Sequence, residues 1–183
     1  MARIYHAAAG LLVAATLVYP ALAAVNDAAP NGFSVSETVH VAAPPARVYE
    51  ALIAPQNWWS AAHTFSKNAA NLSLDAHAGG CWCEKLPDGG SVQHLVVVYV
   101  DPGKALRLRG ALGPLQGLGV DGALTVTLKA EDRGTSLVLT YNVGGYLKDG
   151  LGGLANPVDS VLGEQAARLK SFVETGSPEA KGH

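Results

Sequence analysis

Residues 33–52 read FSVSETVHVAAPPARVYEAL. From Phe33 to Val41 apolar and polar residues alternate, the pattern of a strand with one buried face. Phe33, Val35, Val39 and Val41 share that face with a single acid, Glu37. Pro44 and Pro45 end the strand, and Pro45 suits the first turn of a helix, where its missing N–H is not needed. Val48, Ala51 and Leu52 then space as one face of a short helix, Arg47 to Ile53.

Downstream, Pro55 opens a second short helical turn that carries Trp58 and Trp59. Beyond a polar loop, strands are expected from Leu72 to His77, Gly80 to Leu86, Ser91 to Val100, around Leu106 and Leu108, Ala123 to Lys129, and Thr135 to Val143. Pro87-Asp88-Gly89-Gly90, Asp101-Pro102-Gly103 and Asp132-Arg133-Gly134 punctuate them as turns. A long helix follows, with Asn156 as the expected N-cap and Pro157 in its first position. Val158, Val161, Leu162, Leu169, Phe172 and Val173 form its apolar stripe, and Gly176 caps its end. The order is strand, two short helices, six strands, long helix. That is an α+β class, an antiparallel sheet whose apolar face the terminal helix covers.

This order, with these residues, resembles the SRPBCC superfamily, which includes START-like domains, polyketide cyclases and heat-shock-ATPase activator homologues. VHVAAPPARVYEAL, residues 39–52, resembles the family's strand followed by AP-x-x-V-W-x-A-L. Asn57-Trp58-Trp59 resembles its tryptophan motif, Gly79 to Asp101 its central hairpin, and Val158 to Glu174 its closing helix. The resemblance implies a helix-grip fold: a curved seven-stranded antiparallel sheet around a long C-terminal helix, with two short helices after the first strand. Between sheet and helix it implies a cavity for a lipid, sterol, polyketide or other apolar molecule. The superfamily holds binders and enzymes, so fold alone does not decide function.

The chain has 183 residues, 49% hydrophobic and 15% charged, enough apolar material for one domain with a sizeable core. We place that domain at residues 33–176. Net charge is -2 and no basic stripe is present, which argues against a nucleic-acid partner. Arg3, the apolar run Ala7 to Val18 and the Ala21-Leu22-Ala23 triplet read as a secretory signal peptide, residues 1–23, cut after Ala23. The expected location is therefore periplasmic or secreted, with no stable membrane span once the signal is gone. Residues 24–32 read as a polar leader and 177–183 as a disordered tail. No cofactor motif is present, and no residue pattern points to a particular oligomeric state.

Cys81-Trp82-Cys83 puts two sulfurs on one face of a strand. Three readings stay open: small buried apolar side chains, a disulfide or thiol-redox pair, or part of a soft-metal site. Regular strand positions two apart lie roughly 6.6 Å from each other, an awkward span for a disulfide unless a bulge closes it. If Leu86 pairs with Ser91, Cys83 faces His94 and Cys81 faces Val96, which would bring His94 to the sulfurs as a third ligand. A bulge would send His94 to the other face. Glu37 and His94 are the candidates for acid/base chemistry, as a cyclase- or hydratase-like enzyme would need. Trp58, Trp59, Trp82, His94, Tyr141 and Tyr146 are the candidate ligand-binding residues. The expected partner is a small apolar molecule. The glycine-rich stretches 110–122 and 144–153 read either as flaps at a cavity mouth or as ordered loops that need glycine.

Overall fold

In the computed structural model, which describes residues 22–179, the strand expected at Phe33 to Val41 is flanked by partners on both sides. Strands β1 (Leu22–Ala29) and β2 (Gly32–Val41) lead into helix α1 (Pro45–Leu52). Three short 3-10 turns follow, at Pro55–Asn57, Ala61–His63 and Ala69–Asn71. Then come β3 (Leu72–Leu74), β4 (Cys81–Lys85), β5 (Ser91–Asp101), β6 (Ala105–Arg109), β7 (Gly119–Glu131) and β8 (Gly134–Tyr146). The long helix α2 (Ala155–Thr175) closes the chain. The strands form one antiparallel sheet in the order β1-β2-β8-β7-β6-β5-β4-β3. The expected α+β helix-grip architecture is present.

The sheet has eight strands rather than seven. The extra one, β1, spans the last two residues of the expected signal peptide and most of the stretch read as a leader. Its residues, LAAVNDAA, neither alternate nor favour strands. It is an edge strand held by backbone pairing to β2, a feature that side-chain pattern does not report. Residues 1–21, which hold most of the expected signal peptide, lie outside the described residues. Part of the expected tail is engaged: the Ser171 hydroxyl donates to the Ser177 carbonyl at 2.8 Å, and Arg168 pairs with Glu179 at 2.9 Å.

On β2 the inward face is Phe33, Val35, Glu37, Val39 and Val41, all buried. Helix α2 crosses it and is tied down at its C-terminal half. Lys170 donates to the His40 carbonyl at 2.7 Å, and Glu174 accepts from the Ala42 N–H at 2.8 Å. Asn156 is not the cap. A 3-10 turn at Gly152–Leu154 runs straight into the helix, which starts at Ala155 and makes no side-chain cap bond. At the other end Gly176 adopts the left-handed cap at φ 81°. Leu162, Ala166, Leu169 and Val173 are buried against the sheet.

Candidate functional site

An apolar cavity of about 610 Å³ opens between the N-terminal half of α2 and the β4–β5 end of the sheet. Val158, Val161 and Leu162 of α2 form one wall, and Trp82, His94 and Leu72 form the facing wall. Residues from Trp59 to Lys67 and from Leu112 to Leu115 form the rim. Half of the helical stripe thus faces open space, while the other half packs. The volume is in the range of small-molecule sites.

The indoles on this side are fixed from behind. Trp59 donates to the His63 carbonyl at 3.0 Å and meets Trp82 edge-on at 4.9 Å. Trp58 lies off the cavity: its Nε1–H donates to Ala51 at 2.8 Å, locking this turn to α1. Arg168 of α2 donates to the Trp58 carbonyl at 2.9 Å.

His94 reaches the cavity through a bulge. Cys81 pairs with Val96 and Trp82 with Leu95, but Cys83 pairs with Gln93. His94 is the extra residue, and it shares the inward side with Trp82 and Glu84. Its Nε2 lies 2.9 Å from Glu84 Oε2, with both side chains buried. Glu84 also accepts from the backbone N–H groups of Phe65 and Ser66, at 3.1 and 2.5 Å. Burial alone would push Glu84 up, but the bonds from Ser66, Phe65 and His94 outweigh it and hold the carboxyl below its ordinary value. Burial pushes His94 below its ordinary value, against the opposing pull of Glu84. Phe65, half-exposed at the mouth, stacks on His94 with centroids 5.9 Å apart.

Cys81 and Cys83 form a disulfide, their Cα atoms 5.4 Å apart. That separation is shorter than the roughly 6.6 Å between regular strand positions two apart and falls within disulfide reach. Strand alternation puts the bond on the opposite face from Trp82 and Glu84, and so from His94. The metal reading and the reading as free buried thiols are therefore corrected: both sulfurs are consumed, and His94 is turned away from them. Among the described residues no group of three or more His, Cys, Asp or Glu side chains is placed to hold a metal ion.

Glu37 and His94 are not brought together. Glu37 is fully buried beneath α2, beside Gly163 and Asp159, whereas His94 is bonded to Glu84. Neither Glu37 oxygen meets a hydrogen-bond donor. Burial, together with the adjacent Asp159 carboxyl, raises its pKa to about 7.

Tyr141 does not face the cavity either. Its hydroxyl donates to the Gly110 carbonyl at 2.9 Å and accepts from the Leu112 N–H at 3.1 Å, which pins the segment carrying Leu112 to Leu115. Burial pushes the phenol up to about 12, so it stays a donor. Tyr146 is 75% exposed and lies away from the cavity. Of the two glycine-rich stretches, residues 112–115 wall the cavity and residues 119–122 are already strand. The second stretch begins as the end of β8, and its Leu151 is fully buried.

The profile of the family described as polyketide cyclase / dehydrase and lipid transport matches residues 32–174. No curated protein matches. Among solved structures the chain is similar to an uncharacterized protein from Rhizobium leguminosarum, with 22% identity over 76% of this chain and 93% of that one, at a TM-score of 0.56. It is also similar to CalU16 from Micromonospora echinospora, with 17% identity over 89% of each chain, at a TM-score of 0.58. DynU16, described as a protein of the dynemicin biosynthetic locus, matches at 23% identity over 79% of this chain and 48% of that one, at a TM-score of 0.53. At such identities the structural likenesses establish the fold alone. Taken with the family match over most of the chain, they lead to one assignment: the chain belongs to the polyketide cyclase / dehydrase and lipid transport family and has its SRPBCC-type, ligand-binding helix-grip fold.

Proposed function

We propose that this is an exported protein that holds a small apolar or amphipathic molecule in the cavity beneath α2. The carrying observation is the cavity itself: about 610 Å³ of space walled by leucine, valine and tryptophan side chains that would otherwise pack on one another. Burying ligand surface there is favourable by about 25 cal/mol per Å². Lys67, exposed at the rim, suits the polar end of an amphipathic guest. Native mass spectrometry of protein purified from its own source tests the reading. A co-purifying small molecule displaced by added naphthalene is expected; protein that comes without a guest and binds no apolar probe would overturn it.

Export is supported by the N-terminal pattern and by the Cys81–Cys83 disulfide, a bond that persists in oxidising compartments. Amino-terminal sequencing of the mature protein is expected to begin at Ala24, which leaves most of β1 in place.

A second reading, acid/base chemistry in the same cavity, is favoured by the buried Glu84–His94 pair. It predicts that a bound aryl ketone exchanges its α-protons in heavy water faster than in buffer alone, and that His94→Gln abolishes the difference. Equal exchange with and without protein removes this reading.

A further inference from the structure

Glu84 accepts N–H bonds from three donors: His94 Nε2, Phe65 N and Ser66 N. An ionised carboxylate is acceptor-only, so Nε2 carries the hydrogen of that contact. Burial favours the neutral imidazole. In a neutral imidazole with Nε2–H, the other nitrogen is a bare acceptor. Among the described residues Nδ1 has no hydrogen-bond partner, and the ring it belongs to lines the cavity. Nearby, the Thr64 hydroxyl donates to the Ala61 carbonyl at 2.9 Å, and His63 bonds Glu164 at 3.0 Å.

We infer that the cavity selects apolar, ring-sized molecules bearing a hydroxyl group, whose O–H donates to His94 Nδ1. This inference rests on the reading of the cavity as a binding site. A hydroxyl supplies the hydrogen that this nitrogen lacks. An ether or ketone has no hydrogen for Nδ1. A carboxylate is acceptor-only and would add a second negative charge close to Glu84. An unsatisfied buried polar group costs more than a hydrogen bond gains, so the discrimination falls mainly on ligands that lack the donor.

Three probes of one shape test this: naphthalene, β-naphthol and the methyl ether of β-naphthol, titrated calorimetrically into the full chain. The naphthol is expected to bind about tenfold more tightly than the ether. In His94→Phe that preference should disappear while naphthalene still binds. Glu84→Gln is the independent arm, for use whether or not the first variant folds. Its amide can donate to Nε2, which moves the imidazole hydrogen to Nδ1, and the preference should then invert toward the ether. Equal binding of all three probes to the unaltered protein overturns the inference and leaves the cavity reading standing. A naphthol preference that survives both substitutions overturns it too. Failure of all three probes to bind, naphthalene included, overturns the cavity reading and the inference together.

Discussion

A Cβ placed on Gly163 would sit 3.3 Å from both carboxylate oxygens of Glu37. The helix keeps a glycine at this turn, at a cost of about 1 kcal/mol relative to alanine, where the acid on β2 comes up beneath it. This ties the one polar residue on the inward face of β2 to the one glycine of α2.

The pairing gives stability a defined pH dependence. The folded pKa of Glu37, about 7, lies above its ordinary 4.5, so the folded chain holds a proton that the unfolded chain releases. The contribution of Glu37 to stability is therefore greatest below the unfolded value. It falls as pH rises through the window between the two and levels off above about 7, with a total loss of at most about 3 kcal/mol. Glu37→Gln cannot ionise, and its amide can donate to Asp159. Urea unfolding across this window should show a flattened slope, with the variant more stable than the parent on the alkaline side. An unchanged slope would mean that Glu37 is solvated or otherwise neutralised.

Tyr141→Phe removes one hydroxyl and leaves both the Gly110 carbonyl and the Leu112 N–H without it. The expected loss is about 1–3 kcal/mol of unfolding free energy. Leu112 to Leu115 wall the cavity, so naphthalene affinity should fall as well. Hydrogen exchange localises the effect: faster exchange is expected at residues 110–118 and little change in α2. A stability loss spread evenly over the sheet would contradict the tethering role.

These two residues also show what could be read from the chain. The alternation of Phe33 to Val41 and the stripe of α2 repeat over many positions, so burial of one face is visible in residue order alone. Glu37 stands out because it is an acid at apolar parity, and Glu84 carries the same signal, in step with Trp82 and Leu86. The bulge at His94 had no such signal: one unpaired residue reverses the parity of a strand without changing its composition. Nor did the role of Gly122. It is glycine because the Tyr141 ring lies across it, where a Cβ would meet the ring at 2.5 Å, a contact between different strands.

The disulfide closes a loop of only three residues, so its effect on the unfolded chain is small. Replacing Cys81 and Cys83 together by serine should cost about 1–2 kcal/mol. Trp82 faces the other side, so naphthalene affinity should hold. Mass spectrometry of the unreduced protein after denaturing alkylation is expected to find neither cysteine labelled. Reduction should then add the mass of two hydrogen atoms and expose both to the reagent. Labelling without reductant would show two free thiols on this strand.

Val158 projects from α2 into the cavity and is only partly buried, so a larger side chain there has open space to enter. Val158→Trp narrows the cavity without crowding the packed C-terminal half of the helix, where Leu169 and Val173 meet the sheet. Unfolding free energy should change by no more than about 1 kcal/mol, because no buried contact is broken. Naphthalene affinity should fall about tenfold or more, equivalent to about 1.4 kcal/mol. Intrinsic fluorescence is not a clean readout once a tryptophan is added, so calorimetric titration is the measurement of choice. Undiminished binding by a folded Val158→Trp protein would place the naphthalene outside the space between α2 and the β4–β5 wall, and with it the proposed guest.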